Sequence, residues 1–580
     1  MNKQDIAAIL EEIAVLMEFQ GENPFKIRAY QNAARSLEDL NEEEITELVE
    51  SKKLSSVKGI GKGLEEKIIA LYTDGKLPFY EKLKKSVPKG LQEMLAIPGL
   101  GAKKIKTLYD ELKIKTIPQL KKACEEGRIS ELEGFGNKTE ENILRGLENL
   151  KEYSKRTLWW EAREIVEPIL EDLKKLKGAE KVEIAGSLRR KLETVGDIDI
   201  LVASSKPEPI MKWFTSQDWA ASITAKGKTK SSVRLAEGMQ IDLRVIPEEQ
   251  FGFARLYFTG SKEHNIRLRK IANEKGYSLN EYELSPSDGK NKSPFPKNKK
   301  NISEADIYKA LGLAYIPPEL REDRGEIEAA LKDKLPELVE FDDIKGVFHN
   351  HTTASDGHNT LEEMARAAKD MGWDYIGIAD HSQSSYQANG LDEERLIEQI
   401  EEIKKLNRSK KNIAHIFSGT ECDILNEGEL DFSDDILKEL DYVVVSIHRR
   451  FKMDEKAMTK RIIKALEHPL ATMLGHMTGR LLLRREPYAV NAEKIIDCAV
   501  ANGKIIEINA NPYRLDMDWR LWHKAKEKGL LTSINPDAHS TEHLAFVEAG
   551  INVARKGWLE KDDVFNTWPL AKVKKFLKDG

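Results

Sequence analysis

The chain has 580 residues, 40% of them hydrophobic and 33% charged, with a formal net charge of −6. That composition fits a soluble globular protein of roughly four domains, at about 150 residues each. The acidic balance gives no global case for nucleic acid, so any such contact must come from local basic patches.

Cys124, Cys422 and Cys498 are far apart and form no C-x-x-C pair, which argues against a disulfide framework or a thiolate zinc site and suits a reducing compartment. The N-terminal stretch carries acids at helical spacing, unlike a signal peptide, and the longest apolar runs fall far short of a membrane span. A cytoplasmic protein with no membrane partner is expected.

Residues 1–150 read as short helices: DIAAILEEIAVLMEF spaces apolar residues at i, i+3, i+4 and i+7. One pattern then occurs three times, as VKGIGKGLEEKI (57–68), IPGLGAKKIKTL (97–108) and LEGFGNKTEENI (132–143). Each has an apolar residue, G-x-G and an amphipathic helix, with Lys62, Lys103 or Lys138 following the turn. Glycines such as Gly59, Gly61, Gly99 and Gly101 let the backbone turn tightly into a helix N-terminus, where free N–H groups and the helix dipole favour an anion. Three such turns predict helix-hairpin-helix grips on a nucleic-acid backbone, which bind without reading sequence. The bland alternative is three helix pairs that happen to use glycine.

From about residue 151, KVEIAGSLRR, GDIDILVAS and QIDLRVIPEE read as strands with alternating faces. The segment 285–301 is rich in lysine and proline and reads as an exposed loop; 316–343 is charged and proline-punctuated, a connector with one helix. Beyond it, short apolar strands alternate with helices, which implies a parallel sheet or barrel.

In GDIDILV, strand alternation puts Asp197 and Asp199 on one face and Ile198, Ile200 and Val202 on the other. A third acid, Asp242, interrupts the apolar strand QIDLRVI. Three converging carboxylates need cations between them, and hard oxygen ligands suit Mg²⁺. Two such ions about 4 Å apart serve phosphoryl transfer. Edge-strand acids facing water are the alternative. GSLRR (186–190), just upstream, could hold a triphosphate by backbone N–H, hydroxyl and guanidinium groups. G-S followed within about a dozen residues by D-x-D is the general nucleotidyltransferase pattern.

The stretch LYFTGSKEHNIRLRKIANEKGYSLNEYEL (256–284) strongly resembles the thumb of the family X DNA polymerases, the DNA polymerase beta family, and GSLRRKLETVGDIDIL resembles their palm. RAYQNAARSL and the first two hairpins match in style, so the resemblance covers residues 1–317. It implies that Asp197, Asp199 and Asp242 are catalytic metal ligands for Mg²⁺ or Mn²⁺, and that Gly186, Ser187 and Arg190 contact the triphosphate of a deoxynucleotide. Tyr257, Phe258 and Gly260 match the segment that lines the sugar and rejects a ribose 2′-hydroxyl. Asn265 matches the residue at the minor-groove edge of the incoming base pair, and Arg269 the one touching the template. Lys26 and Tyr30 match residues that hold the 5′-phosphate of a gap, and Lys67 aligns with the Schiff-base lysine that removes a 5′-deoxyribose phosphate. Three positions depart from the pattern: Gln240 replaces an arginine beside the third aspartate, Lys262 an acid near the base, and Gly63 a lysine of the lyase pocket.

Eleven of the twelve histidines follow residue 340, and His264 alone precedes it. They fall at strand ends: His349 and His351 as H-x-H, His381 after GIAD, His448 after VVVSI, His476 after MLG. Glu421 follows IFSGT, Asp356 closes HNHTTASD, and Asp537 and His539 follow LTSINP. In a β/α barrel such residues converge at one mouth. Nine mixed nitrogen and oxygen donors suit two or three ions of Zn²⁺, Mn²⁺ or Fe. Asp380 could orient a ligand from behind, while His358, His415, His468, His523 and His543 read as structural or surface residues.

The array HNH…SDG, ADHS, GTE, SIH, LGH and DAH resembles the PHP (polymerase and histidinol phosphatase) domain. That implies a distorted seven-stranded β/α barrel with a trinuclear site of Mn²⁺ or Zn²⁺. In bacterial family X polymerases it implies 3′→5′ exonuclease, 3′-end cleaning and abasic-site endonuclease activity.

The expected organisation is therefore a helical, lyase-like hairpin domain (1–88), a fingers-like region with two further hairpins (89–150), a nucleotidyltransferase palm (151–246), a thumb (247–317), a linker (318–340) and the barrel (341–580). The expected partners are gapped or nicked DNA bearing a 5′-phosphate and deoxynucleoside triphosphates, bound by a nucleoid-associated monomer. The competing readings are a small-molecule phosphoesterase with an accessory region and a non-catalytic scaffold for DNA ends.

Overall fold

The computed structural model describes residues 3–38, 42–57, 59–97, 100–153, 156–287, 293–295, 301–409 and 411–579. Gly99 lies outside them. The chain divides into two compact units, Met1–Ser154 and Lys155–Gly580. No helix among the described residues is long and apolar enough to cross a membrane.

The first unit is helical. In α1 (Lys3–Gln20), Ile6, Leu10, Ile13 and Met17 share one face and are buried, with Ala33, Ala34 and Leu37 of α2 (Pro24–Glu38) in the same core. The three G-x-G motifs precede α3 (Lys62–Asp74), α4 (Ala102–Leu112) and α5 (Asn137–Tyr153). Gly59, Gly134 and Gly136 have φ of +95°, +81° and +90°. Gly61 and Gly101 are the cap residues of α3 and α4 and offer no side-chain acceptor to the first-turn N–H groups. Lys62, Lys103 and Lys138 are exposed.

The second unit begins with a five-stranded sheet. Its strands are β1 (Lys181–Ile184), β2 (Asp197–Ala203), β3 (Ser222–Lys226), β4 (Lys230–Arg234) and β5 (Gln240–Ile246), in the spatial order β1-β2-β5-β4-β3. The β2–β5 pair is parallel and the others antiparallel. Ile198, Ile200 and Val202 are buried, as their alternation requires. The one-turn α6 (Gly186–Arg189) follows β1.

Next come α7 (Phe251–Thr259) and α8 (Lys262–Glu274), capped by the Ser261 hydroxyl, which accepts from the His264 N–H. With α9 (Glu304–Ala310) they share a core of Phe253, Leu256, Leu268 and Tyr308. Residues 318–340, read from proline and charge as a linker, pack into that core: Leu320, Ile327, Ala330 and Leu338 are buried in it. Their charges escaped the apolar-pattern reading because they are internally paired. Arg321 grips Glu304 at 2.6 Å, and Glu326 bonds His264 Nδ1 at 2.7 Å.

The C-terminal body has seven parallel strands, β6 (Gly346–Asn350), β7 (Tyr375–Ile378), β8 (His415–Asp423), β9 (Tyr442–Ser446), β10 (Met473–Leu474), β11 (Ile505–Asn509) and β12 (Thr532–Asn535), in sequential spatial order. The Asn350–Ala538 bridge brings the last strand's exit beside the first, nearly closing a barrel. Phe348, Tyr375, Phe417, Tyr442 and Phe565 form one aromatic cluster. Helices cover the outside; α10 (Val547–Lys556) returns after β12.

Candidate active sites

The parallel register sets Asp199 opposite Asp242, with Asp197 two residues before Asp199. Gly186 adopts φ +60°, and a Cβ there would lie 2.4 Å from Asp199 Oδ2. Glycine in GSLRR is thus required twice, by the backbone and by the carboxylate beside it. Burial, then the charges of Asp197 and Asp242, pushes Asp199 up to about 7. Asp242 is held below its ordinary range: burial opposes this, but hydrogen bonds from Lys230, Ser232 and Gln240 outweigh it. Lys230 Nζ lies 2.9 Å from Asp242 Oδ2, and Gln240 donates to Oδ1 at 2.9 Å. The departure at Gln240 thus keeps a donor on Asp242 but removes a charge. Sequence reasoning missed Lys230, whose approach depends on antiparallel pairing of β4 with β5. The crowded carboxylates fit a divalent cation, which would relieve their repulsion.

Arg190 binds the Thr259 carbonyl through Nη1 at 2.8 Å and Glu322 through Nε at 3.0 Å. Ser187 is half-buried in the same turn. Arg189 is buried and fixed by Glu304, making it a structural residue. Tyr257 and Phe258 pack edge to face at 5.1 Å. Asn265 donates to the Tyr257 carbonyl at 2.7 Å, and its amide stands where a Cβ on Gly260 would go. Arg269 is one turn on, and Lys262 is exposed at the start of the same helix.

In the first unit, Lys67 Nζ lies 5.4 Å from the Tyr30 ring and 5.5 Å from the Phe79 ring, and donates to the Gly63 carbonyl at 3.1 Å. Lys26 is exposed and pairs with Glu22 at 3.3 Å.

All nine barrel residues singled out in the sequence converge. Their donor atoms form four overlapping groups within 4.8 Å: His351, Asp356, His381 and His539; His349, His351 and Glu421; His349, His476 and Asp537; His381, Glu421 and His448. His349 and Asp537 are held at φ +56° and +52°, a left-handed conformation that costs side-chain-bearing residues energy and is common at functional sites. Strand alternation alone would point both imidazoles of H-x-H to one side. In fact the β6–β7 register shifts between Val347 and Asn350, and left-handed His349 re-aims the pair to a ring separation of 5.4 Å.

His349 Nε2 and His381 Nδ1 face Glu421 oxygens at 3.2 and 2.9 Å, and among the described residues neither these atoms nor the two ring nitrogens of His351 have a well-aligned hydrogen bond, which fits metal ligation. Glu421 is held well below the usual carboxylate range: burial opposes this, but His448, His349 and His381 outweigh it. Burial would lower His448, but Glu421 and Asp423 carry it up to about 10. Burial, then the charges of His539 and His381, lowers His351 to about 4.

Behind the donors stand residues not singled out from sequence. Glu507 accepts from His349 Nδ1 at 2.8 Å and from the His476 N–H at 2.6 Å. Asp423 bonds His448 Nδ1 at 3.0 Å. Arg514 approaches Asp537 at 3.3 Å. Asp380 does not orient His381 directly; it binds Thr352, Ser355 and Gln399 and so fixes the loop that carries Asp356. A strand carboxylate such as Glu507 in KIIEIN had a sequence signal, an acid in an apolar run, like Asp242.

Family models match at a helix-hairpin-helix domain (residues 1–77), a SAM-like helix-hairpin-helix tandem (91–149), the DNA polymerase beta thumb (254–322) and a PHP domain (348–511). The chain is 40% identical over 580 residues, the full length of both, to DNA polymerase/3′-5′ exonuclease PolX of Bacillus subtilis (strain 168). A probable phosphatase of Thermoanaerobacter sp. (strain X514) is 30% identical over 41% of this chain and 96% of its own length. DNA polymerase lambda of Rattus norvegicus is 24% identical over 46% of this chain and 48% of its own. With the palm carboxylates and the barrel cluster in one chain, the full-length likeness settles the assignment: the chain belongs to the PolX family, the bacterial family X DNA polymerases that carry a PHP domain.

Proposed function

We propose that the chain is a template-directed DNA polymerase that fills short gaps and a 3′→5′ exonuclease that prepares the ends it extends. The observation that carries this reading is the coexistence, in one compact unit, of three crowded aspartates and a separate nine-donor barrel cluster.

Asp197, Asp199 and Asp242 would hold Mg²⁺ or Mn²⁺, which supplies charge neutralisation and activation of the attacking 3′-oxygen. Arg190, Ser187 and the Gly186 N–H bind the triphosphate; the Tyr257–Gly260 turn and Asn265 position sugar and base. The nine barrel residues would hold two or three Mn²⁺ or Zn²⁺ ions, which activate water toward a phosphodiester. Glu507 and Asp423 keep His349 and His448 oriented for that work. Beside His381 and His448, a cavity of about 400 Å³ is lined by Tyr386 and Arg449, with the guanidinium 4.8 Å from the ring. Tyr386 is 69% exposed there, a platform on which the terminal base of a strand can stack.

The hairpin glycines, Lys26, Tyr30 and Arg269 grip gapped DNA and its 5′-phosphate, and Lys67 in its aromatic pocket is the candidate nucleophile for 5′-deoxyribose phosphate removal. The active form in this reading is a cytoplasmic monomer.

The test uses a 5′-labelled primer facing a one-nucleotide gap with a downstream 5′-phosphate, in Mn²⁺, with and without deoxynucleotides. Asp242→Ala abolishes extension alone, and the His349→Ala/His351→Ala double variant abolishes shortening alone. Extension without shortening in the unmutated chain would leave the barrel a structural or small-molecule role. Shortening without extension would overturn the polymerase reading.

A further inference from the structure

Lys556 ends helix α10 on the barrel, but its ammonium serves the palm. The residue is 2% exposed. Its Nζ donates to the carbonyls of Arg190 (3.1 Å) and Glu319 (3.2 Å) and to Glu322 Oε1 (2.9 Å). The same Oε1 accepts from Arg190 Nε. One carboxylate oxygen is therefore shared between a lysine of the nuclease barrel and the arginine of the nucleotide turn. A second strut lies three residues further along the palm, where barrel residue Arg480 pairs with Glu193 at 2.5 Å. Interface packing alone does not call for the lysine, since burying an ammonium costs free energy that an apolar side chain avoids.

We propose that Lys556 is a positioning residue for nucleotide binding: it neutralises Glu322, loosens that carboxylate's hold on Arg190, and so frees the guanidinium for the incoming triphosphate. The inference rests on the reading of Arg190 as a triphosphate contact. To meet the triphosphate, the guanidinium must give up Glu322, and a half-buried carboxylate releases one cation most easily when a second remains. Without Lys556, Glu322 has Arg190 as its remaining cation in this contact and competes directly with the nucleotide. The nuclease barrel thereby sets the polymerase's nucleotide affinity without touching the nucleotide.

The experiment measures KM and kcat for single-nucleotide insertion into gapped DNA by the full chain. Lys556→Met should raise KM for the deoxynucleotide about tenfold, the scale of one charge-assisted contact, with kcat changed by less than about twofold. Lys556→Arg, which keeps the cation, should stay near the unmutated value. Glu322→Gln should lower KM, and the Lys556→Met/Glu322→Gln double variant should return toward normal, because no carboxylate is left to trap Arg190. A purely structural role predicts instead that the double variant is worse than either single. An unchanged KM in Lys556→Met, a raised KM in Glu322→Gln, or no rescue in the double variant would each overturn the proposal. Mn²⁺-dependent primer shortening reports the fold in every sample and should be unaffected. If Lys556→Met proves unfolded, the sign of the Glu322→Gln effect still decides. Arg190→Ala separates the two layers: an unchanged KM there would remove the triphosphate reading, whereas a raised KM with no Lys556 effect removes this inference alone.

Discussion

Asp199 and Asp242 stand opposite one another on parallel strands, yet their carboxyls are pushed in opposite directions. Burial and two neighbouring carboxylates raise Asp199 to about 7, while donors led by Lys230 outweigh burial and keep Asp242 low. A cation bound between them must displace the Asp199 proton. Near pH 6.5, Mg²⁺ binding should release protons, and the release should fade above pH 8 and in Asp199→Asn. Calorimetry in buffers of different ionisation heat reads the proton count. A buffer-independent heat at pH 6.5 would show that Asp199 is already ionised.

The barrel cluster predicts graded losses. Glu507→Gln keeps size and polarity but loses the charge facing His349 Nδ1. Metal affinity and primer shortening should fall about 10- to 100-fold, the usual cost of removing a ligand's outer partner. Asp423→Asn should behave similarly through His448. Primer extension, which uses the palm, should be unchanged in both. Titrating Mn²⁺ against shortening rate distinguishes this from a catalytic defect, because excess metal should restore much of the Glu507→Gln activity.

What the sequence made legible was whatever short periodicities encode. DID announces a shared face, and strand-end histidines announce a barrel mouth, so the three aspartates and the nine barrel residues that the fold brings together stand out in the sequence. What it hid depends on register or distance. Lys230 reaches Asp242 only through the β4–β5 pairing, and Glu322 reaches Arg190 across 132 positions. Asp423 and Glu507 sit inside strands, where an acid reads as ambiguous until its neighbours are known. The charged stretch 318–340 reads as a linker because a buried ion pair such as Arg321–Glu304 looks, in sequence, like surface, whereas its Leu320, Ile327, Ala330 and Leu338 are buried in a core.

Tyr386 gives the nuclease site a test of substrate class. Replacing it with alanine removes a stacking surface worth about 1–3 kcal/mol per base. KM for a single-stranded 3′ end should rise about 5- to 150-fold on that basis, with Tyr386→Phe near normal. Hydrolysis of bis(p-nitrophenyl) phosphate, which has no nucleobase, should be equal in all three proteins. Equal KM for the DNA end would exclude a stacking role.

The Arg189–Glu304–Arg321 cluster ties palm to thumb, and its pH dependence can be signed. Burial alone would raise the Glu304 carboxyl, but Arg321 and then Arg189 outweigh it and bring it to about 2 from an ordinary 4.5. A depressed folded-state pKa means stability that is fully present above about 4.5 and is lost as pH falls toward 2. A depression of that size favours the folded state at neutral pH by an amount on the order of 3 kcal/mol. Glu304→Gln leaves two buried guanidinium groups without their counter-charge, at a cost on the order of 3–5 kcal/mol at pH 7. The stability gap between the two proteins, followed by urea midpoints, should narrow steadily from pH 5 to pH 3, since protonated Glu304 resembles glutamine. A gap that stays constant over that range would mean Glu304 contributes through its shape and hydrogen bonds, with no net contribution from its charge.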